Sequence, residues 1–325
     1  MVIKNILNLS EKTKRWIYSL SRPFVKHFKK FKELRFDVYL LSGERKVLYI
    51  TSSVISPYIV ERICRNASIT KGNKIYIWEL RKFISQYDTV LIDMHRSFAR
   101  FFNDAFLIPP YVRQVLDLDK PIEDITRNNR DLKKIKKYQY EVLTDLDSLK
   151  FFYEKMHVPY IRKRFANSAQ IKNFNEFKKT LKNGELLLIK NNEKYVSGVL
   201  CEMRNGVYFW LRVGALDESF VKEGALSAAY YFGILRAKEK NAKIIDFGMS
   251  RPFLSDGVLR HKRKWGARIC EDKSLKRILY SKNAIKDSFI CIENKKLKAV
   301  LFSNKERFTA EYANWGLEFK IVKDV

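Results

Sequence analysis

The sequence predicts an α/β protein in which a smaller unit precedes a larger one. Short apolar segments alternate with helical ones between residues 36 and 94. Three consecutive strands are expected over residues 185–213, because tight-turn signals at Lys190–Lys194 and Arg204–Gly206 separate them. A helix of small residues and a further apolar strand follow directly. A chain of 325 residues with 46% hydrophobic content is long enough to form two cores.

Residues 1–35 form the first predicted segment, which is basic, helical and amphipathic. Its apolar side chains recur at spacings of four and three, which places them on one helix face. These residues are Trp16, Leu20, Phe24, Phe28 and Phe31. Two interpretations stay open: the helix rests on anionic lipid, or it packs its aromatic face against the body of the protein. The second is the commoner use of such a stripe.

Residues 36–129 are predicted to form the first α/β unit. The chain is expected to be strand at Phe36–Leu41, Lys46–Thr51, Lys74–Trp78 and Thr89–Met94, and helix at Pro57–Arg65 and Leu80–Tyr87. Pro109 and Pro110 interrupt the chain after these elements. The polar, turn-prone stretch Asp117–Asn129 is interpreted as the join between the two units.

Residues 130–325 are predicted to form the second unit. Helix is expected at Arg130–Lys137 and at Leu146–Arg164, with an interruption near Pro159. The expected strands are Tyr138–Leu143, Glu185–Lys190, Lys194–Arg204, Gly206–Val213, Lys243–Phe247, Lys276–Tyr280, Ser288–Glu293 and Leu297–Phe302. A last strand through Leu317, Phe319 and Ile321 is expected to return to the first unit.

Residues 224–266 carry the densest pattern of the chain. Gly224 opens a helix of small residues, and the strand Lys243–Phe247 ends in a glycine. A turn with Arg251 and Pro252 leads to a short basic helix that ends at Trp265 and Gly266. This order brings a helix N-terminus, a strand end and several cationic side chains together. Such an arrangement suits a donor that carries phosphate.

This stretch resembles the acyltransferases of the GNAT superfamily, specifically the FemAB-like branch. That branch includes aminoacyl-tRNA-dependent peptidyltransferases of cell-wall precursors and acetyltransferases linked to polysaccharide synthesis. The matching residues are Ala237-Lys238, Asp246-Phe247-Gly248, Ser250, Pro252, Asp256-Gly257 and Lys262 to Gly266. A looser match extends back to Leu107, while His261 replaces a usual aromatic residue and Asn241 a usual glycine. The resemblance implies a GNAT-like acyl-CoA N-acyltransferase fold with two GNAT-like halves, the first of them degenerate.

Three residues are candidates for the chemistry. The resemblance implies that Lys262 stabilises developing negative charge, although a solvated lysine within a basic helix is the alternative. Asp246 ends a strand, where its carboxylate is placed either to accept a proton from an amine or to satisfy turn amides. His261 is a candidate proton donor to the leaving group, or a structural histidine.

The binding candidates follow from the same stretch. Lys222, Gly224 and Ala225 are the candidates for cradling donor phosphate at a helix start, although the family's Q/RxxGxG/A signature is reduced here to its small pair. Arg251, Asp256 and Trp265 are the candidates for contacting substrate. Asp256 is also expected to be the N-cap of the basic helix, with Gly266 as its C′ residue.

Composition limits the classes of protein and site. The net charge of +28 predicts attraction to polyanions such as tRNA or coenzyme A, or else a solvated lysine-rich surface. The four cysteines and four histidines are scattered, so neither a metal site nor a disulfide framework is expected, and a reducing compartment is favoured. Neither a transmembrane span nor a secretory signal is expected. The triplet Asp246-Phe247-Gly248 stands without the other kinase loops, which excludes a kinase.

The predicted function is that of a cytoplasmic N-acyltransferase, for which peripheral contact with the inner face of the membrane through residues 1–35 stays an open alternative. It would transfer an acyl group, such as acetyl, from acyl-CoA to an amine of a cell-envelope or polysaccharide precursor, and that acceptor would be a nucleotide- or lipid-linked sugar or peptide. One alternative keeps the fold and takes aminoacyl-tRNA as donor. The other is a non-catalytic scaffold of the same fold that binds nucleic acid or membrane.

Overall fold

A computed structural model describes residues 35–43, 46–51, 56–64, 66–87, 89–101, 106–126, 129–166, 169, 171–272, 277–282, 288–293, 296–302 and 315–322. The amphipathic segment predicted for residues 1–35 lies outside these ranges, apart from its last residue. Within the described ranges the α/β prediction is confirmed. The chain forms two sheets, and helices cover both faces of the second sheet.

The first sheet has ten strands and combines both ends of the described chain. Its order is β17-β16-β15-β6-β14-β5-β2-β1-β3, with β4 also paired to β1. The early strands are β1 (Arg35–Ser42), β2 (Lys46–Thr51), β3 (Ser68–Lys71), β4 (Ile75–Tyr76), β5 (Val90–His95) and β6 (Phe106–Ile108). The late strands are β14 (Arg277–Lys282), β15 (Phe289–Glu293), β16 (Lys296–Phe302) and β17 (Glu318–Val322). Helices α1 (Pro57–Ile63) and α2 (Leu80–Gln86) connect the early strands.

The second sheet has seven strands in the order β13-β7-β12-β11-β10-β9-β8. These are β7 (Val112–Asp117), β8 (Tyr138–Leu143), β9 (Gly184–Asn191), β10 (Lys194–Arg204), β11 (Val207–Ala215), β12 (Ile244–Ser250) and β13 (Arg268–Glu271). The helices between them are α3 (Ile122–Thr126), α4 (Leu132–Ile135), α5 (Leu146–Phe151), α6 (Val158–Phe165), α7 (Phe174–Leu181), α8 (Glu218–Lys222), α9 (Ala225–Glu239) and α10 (Gly257–Lys264). The order of strand, helix, three strands, helix, strand and helix is therefore confirmed.

The two sheets repeat one pattern. In the first, the hairpin β1–β2 is followed by helices and by β5, which runs parallel to β2. In the second, the hairpin β10–β11 is followed by α9 and by β12, which runs parallel to β11. Each parallel pair ends at an aspartate, Asp93 in β5 and Asp246 in β12.

Each sheet takes strands from both of the sequence ranges that were predicted as separate units. Strand β7 belongs to the range expected for the first unit, yet it pairs with β12 and β13 in the second sheet. Strands β14–β17 belong to the range expected for the second unit, yet they complete the first sheet. Only the return of the last strand was anticipated. Non-local pairing of this kind leaves no mark on the local pattern of a strand, so sequence periodicity cannot reveal it.

Helix α9 owes its position to its small residues. Ala225, Ala228 and Ala229 are fully buried against the sheet. A Cβ on Gly233 would lie 2.4 Å from a ring carbon of Trp210, so only glycine allows the helix to approach this closely. The small-residue pattern therefore reflects tight packing of the helix on β11 and its neighbours.

The long helix predicted over Leu146–Arg164 is interrupted one turn earlier than Pro159 by a π-helical turn, Phe152–His157. Because Pro159 has no N–H, it cannot hydrogen-bond back into this turn. The turn packs against β11 at Gly214, and the Nδ1 atom of His157 lies 2.8 Å from the carbonyl oxygen of Val213. Since a carbonyl only accepts, Nδ1 carries the proton.

Replacing Gly214 with alanine is expected to destabilise the protein by about 1–3 kcal/mol. The added Cβ would lie 2.8 Å from the backbone nitrogen of His157, and neither backbone has room to move freely. Gly72→Ala is the matched control, since its Cβ would make only ordinary contacts at 3.7 Å or more. Urea unfolding measures the difference, and equal midpoints for the two variants would contradict this packing.

Candidate functional site

The parallel strands β11 and β12 diverge, and the cavity opens where they part. They pair only at Val207, Tyr208 and Phe209 of β11, opposite Ile244 to Asp246 of β12. Both strands continue beyond these pairs, to Ala215 and Ser250. The gap between the diverging ends exposes backbone groups that would otherwise form a ladder, and it lies beside the start of α9.

The gap between the two strand ends forms a cavity of about 490 Å³. Its wall residues come from α4, α6, α8, α9, α10 and the diverging ends of β11 and β12. The charged side chains of the wall are Lys134, Arg164, Arg212, Lys222, Lys262 and Asp131. Five cations against one carboxylate make the cavity strongly positive, which favours an anionic ligand.

Lys262 lies on α10 and reaches the cavity between two backbone carbonyls. Its Nζ donates to the carbonyl oxygen of Met249 at 2.9 Å and to that of Gly248 at 3.3 Å. Only 5% of the residue is exposed. Burial lowers the pKa of Lys262 to about 7, and the carboxylates of Asp246 and Asp256 oppose that shift. The ammonium form is therefore easily gained and lost near neutral pH.

His261 also lines the cavity, with its ring edge-on to Tyr230 at 4.7 Å between centroids. Its Nε2 is buried and has no hydrogen-bond partner among the described residues. Burial lowers the pKa of His261 to about 4, with further lowering by the cations of Lys264, Arg164 and Lys262. The imidazole is therefore neutral at neutral pH, and the role of His261 as a proton donor to the leaving group stays a prediction.

The stability of the protein is expected to fall as the pH drops from 6.5 towards 4. Below its ordinary pKa of 6.5, the unfolded chain protonates His261 while the folded chain does not until about pH 4. The lowered pKa of His261 contributes about 3 kcal/mol to the unfolding free energy, and this contribution is lost between pH 6.5 and 4. The unfolding free energy of the wild type and of His261→Phe, measured at pH 4.5 and 7, tests this: the substitution should flatten the pH dependence. An unchanged slope would show that the imidazole is charged in the folded protein.

Arg212 is the most prominent site residue that the sequence analysis missed. It lies in β11, lines the cavity, and forms no ion pair with a carboxylate in the part of the chain that the structure describes. Burial lowers the pKa of its guanidinium, as expected for a cation held without a counter-ion. A lone arginine in the apolar strand Val207–Ala215 was the available signal. An uncompensated, half-buried arginine is well suited to bind an anion.

Tyr160 and Arg164 on α6 also line the cavity, and the sequence analysis did not identify them. Arg164 donates to the Tyr160 hydroxyl, and burial raises the pKa of that phenol. In the sequence these residues are indistinguishable from the basic last turn of any helix.

The predicted phosphate cradle is partly realised. Lys222 and Gly224 line the cavity, whereas Ala225 is fully buried beneath it. Gly224 has a φ of 102°, a left-handed value that favours glycine, and no side chain caps the first turn of α9. The first-turn amides of α9 are thus left for another partner.

Helix α4 crosses the start of α9 closely. Lys134 donates to the carbonyl oxygen of Lys222 at 3.3 Å, and Lys137 forms an ion pair with Glu223 at 2.5 Å. The Ser227 hydroxyl donates to Asp131 at 2.9 Å. A carboxylate therefore already lies beside the helix start that was expected to receive phosphate.

Asp246 and Asp256 have structural partners and do not line the cavity. Arg113 pairs with Asp246, whose other oxygen accepts the Gly248 amide at 2.8 Å. Asp256 caps α10 by accepting from the amides of Val258 and Leu259 at 3.0 and 2.9 Å. These contacts match the turn-satisfying and capping alternatives, while the proton-accepting role of Asp246 and the substrate-binding role of Asp256 stay predictions.

Arg251 and Trp265 also lie away from the cavity wall. The guanidinium of Arg251 lies over the ring of Tyr58 at 4.5 Å and over that of Phe165, a wall residue, at 5.6 Å. Trp265 is fully buried, with its ring parallel to that of Tyr230 at 5.9 Å. Trp265 belongs to the core beneath the site. Substrate contact by Arg251 and Trp265 stays a prediction that the cavity wall does not support.

No protein-family model and no curated protein matches the sequence. Among solved structures, FemX aligns with 13% identity and a TM-score of 0.42, over 75% of this chain and 83% of that one. L-PGS from Bacillus licheniformis aligns with 12% identity and a TM-score of 0.39, over 76% and 82%. A GCN5-related N-acetyltransferase from Kribbella flavida aligns with 13% identity and a TM-score of 0.31, over 63% and 72%.

Two other kinds of site are absent from the described ranges. No cluster of three or more His, Cys, Asp or Glu side chains has the geometry to hold a metal ion. Among the described helices, none combines the length and hydropathy needed to cross a bilayer.

Proposed function

We propose that this chain is an N-acyltransferase that takes an activated acyl group from a phosphate-bearing donor and transfers it to an amine. The observation that carries the proposal is the cationic cavity between the diverging ends of β11 and β12, with Lys262 buried at its edge. An open helix start, an uncompensated arginine and a lysine with a lowered pKa meet there. Together they can hold anionic phosphate and stabilise charge that develops on an acyl oxygen.

The reaction needs little covalent chemistry from the protein. The amine nitrogen attacks the acyl carbon, the bond from that carbon to the donor's sulfur or oxygen breaks, and the proton lost by the amine ends on the leaving group. Negative charge develops on the acyl oxygen in the transition state, where the Lys262 ammonium would stabilise it. Holding both substrates in one cavity supplies much of the remaining acceleration.

Acyl-CoA, such as acetyl-CoA, is the first proposed donor. Its phosphates match the positive wall formed by Arg212, Lys222 and the start of α9. The resemblance of residues 224–266 to enzymes of envelope synthesis indicates the acceptor class. The acceptor would be an amine on a nucleotide- or lipid-linked sugar or peptide.

Aminoacyl-tRNA is the second candidate donor, and a specific observation favours it. The Asp131 carboxylate beside Ser227 and the crossing helix α4 compete with a pyrophosphate for the start of α9. A tRNA would place only its 3′-terminal nucleotide in the cavity, while its remaining phosphates would meet the basic surface of a chain with net charge +28.

A transfer assay separates these donors. Purified protein is incubated with labelled acetyl-CoA, or separately with tRNA charged with labelled amino acids, and with a panel of amino sugars and peptides linked to nucleotides. If the label appears in an acceptor with only one of the two donors, that donor is the one the enzyme uses. Transfer from neither donor to any amine would contradict the proposal and favour a non-catalytic scaffold.

A further inference from the structure

The proposed function assigns Lys262 to the chemistry, but it does not explain why the two carbonyls that hold the lysine lie where they do. Both belong to an irregular segment of β12. The register between β12 and β7 shifts between Asp246 and Met249, so the strand bulges at this point. Gly248 inside the bulge has a φ of 75°, which favours glycine. The bulge also leaves the Met249 side chain 47% exposed in the cavity wall.

A chain of contacts fixes the bulge. The Asp246 carboxylate accepts the Gly248 amide at 2.8 Å, while the carbonyl on the other side of Gly248 accepts from Lys262. Arg113 on β7 donates to the second Asp246 oxygen. The same guanidinium donates to Asp272, through Nη2 at 2.7 Å and Nε at 3.2 Å. One arginine thus ties β7, the bulge and the segment after β13 together.

These carboxylates are too buried to be held without a partner. The side chains of Asp246 and Asp272 are 6% and 7% exposed. Loss of the arginine would remove the cation that pairs with both buried carboxylates, which is strongly unfavourable. We propose that Arg113 and Asp246 are positioning residues, which fix the β12 bulge so that its carbonyls hold Lys262 at the edge of the cavity.

The two residues also act on the charge of Lys262 with opposite signs. Asp246 raises the pKa of Lys262 and Arg113 lowers it, while burial remains the largest influence. Removal of each side chain should therefore move the titration of Lys262 in opposite directions. The other charged or titratable groups in the cavity wall, on α10 or in the network behind it are Asp131, Lys134, Tyr160, Arg164, Arg212, Lys222, Tyr230, Asp256, Arg260, His261, Arg263, Lys264 and Asp272.

The test follows Lys262 directly by NMR, with lysine labelled at Cε and the signal assigned by its absence in Lys262→Met. This inference rests on the proposed function, because that function makes Lys262 a catalytic residue. The titration itself needs no substrate, so it tests the position of Lys262 even if no acyl group is transferred. Compared with the wild type, Asp246→Asn should titrate at lower pH and Arg113→Met at higher pH. Where transfer is measurable, kcat should fall about a hundredfold in both variants, as expected for a misplaced catalytic group.

The matched control is Arg268→Gln. Arg268 on β13 forms an ion pair with Asp117 on β7, so it joins the same two strands without reaching the bulge. Its removal should leave the Lys262 titration unchanged. An unchanged Lys262 titration in both variants, or an unchanged kcat in both where transfer is measurable, would overturn the inference. If Arg113→Met does not fold, the isosteric Asp246→Asn variant is measured alone, and a Lys262 titration that stays unchanged in it would overturn the inference.

Discussion

Replacing Lys262 with methionine is expected to lower the transfer rate by about 100- to 1,000-fold and to make the protein more stable at neutral pH. The rate falls because the cavity loses the cation placed to stabilise charge on the acyl oxygen. Stability rises because a buried lysine with a pKa of about 7, well below its ordinary 10.5, opposes folding wherever the unfolded chain would be protonated. After the cost of leaving two carbonyls without a donor, the gain is on the order of 2 kcal/mol.

The stability gain should depend on pH in a defined direction. Between about pH 7 and 10.5 the unfolded wild type binds a proton that the folded wild type does not, so wild-type stability rises with pH. The advantage of the methionine variant is therefore largest at pH 7 and below and disappears towards pH 10.5. Lys264→Met, an exposed lysine of the same helix, is the control and should change neither quantity. A methionine variant that is less stable than the wild type at pH 7 would contradict the assigned burial.

Replacing Arg212 with glutamine is expected to raise the KM for the donor by about 10- to 100-fold with a much smaller change in kcat. Hydrogen bonds to a charged partner are worth about 1.5–3 kcal/mol, and Arg212 is a half-buried cation with no carboxylate beside it within the described chain. Steady-state kinetics at several donor concentrations would separate the two constants.

Arg204→Gln provides the control for this prediction. Arg204 lies on the neighbouring strand β10, pairs with Glu202, and does not line the cavity. Its loss should leave the donor KM unchanged. An equal effect of the two substitutions would mean that the donor responds to overall charge rather than to this cavity.

The sequence was informative where function depends on local backbone geometry. Gly224 begins α9, Asp256 caps α10, and Lys262 reaches the cavity, all within one continuous stretch. Turn glycines, caps and apolar periodicity are local signals, so the element order of residues 138–264 followed from them.

The parts of the site that depend on pairing between distant strands could not be predicted from the sequence. Strand β7 supplies Arg113 to the network behind Lys262, and it is separated from its partner β12 by more than a hundred residues. Asp246 was a catalytic candidate because it ends a strand. The sequence around a carboxylate at a strand end is the same whether the side chain faces a cavity or pairs with an arginine. Only the pairing of β7 with β12 distinguishes the two cases.

The most direct measurement is the crystal structure of the protein with a bound donor or its non-hydrolysable analogue. We expect the donor's phosphates to lie beside Arg212 and the first turn of α9, with the acyl oxygen within hydrogen-bond distance of Lys262 Nζ. A donor bound outside the gap between β11 and β12, with Lys262 still enclosed by its two carbonyls and remote from the acyl group, would contradict it.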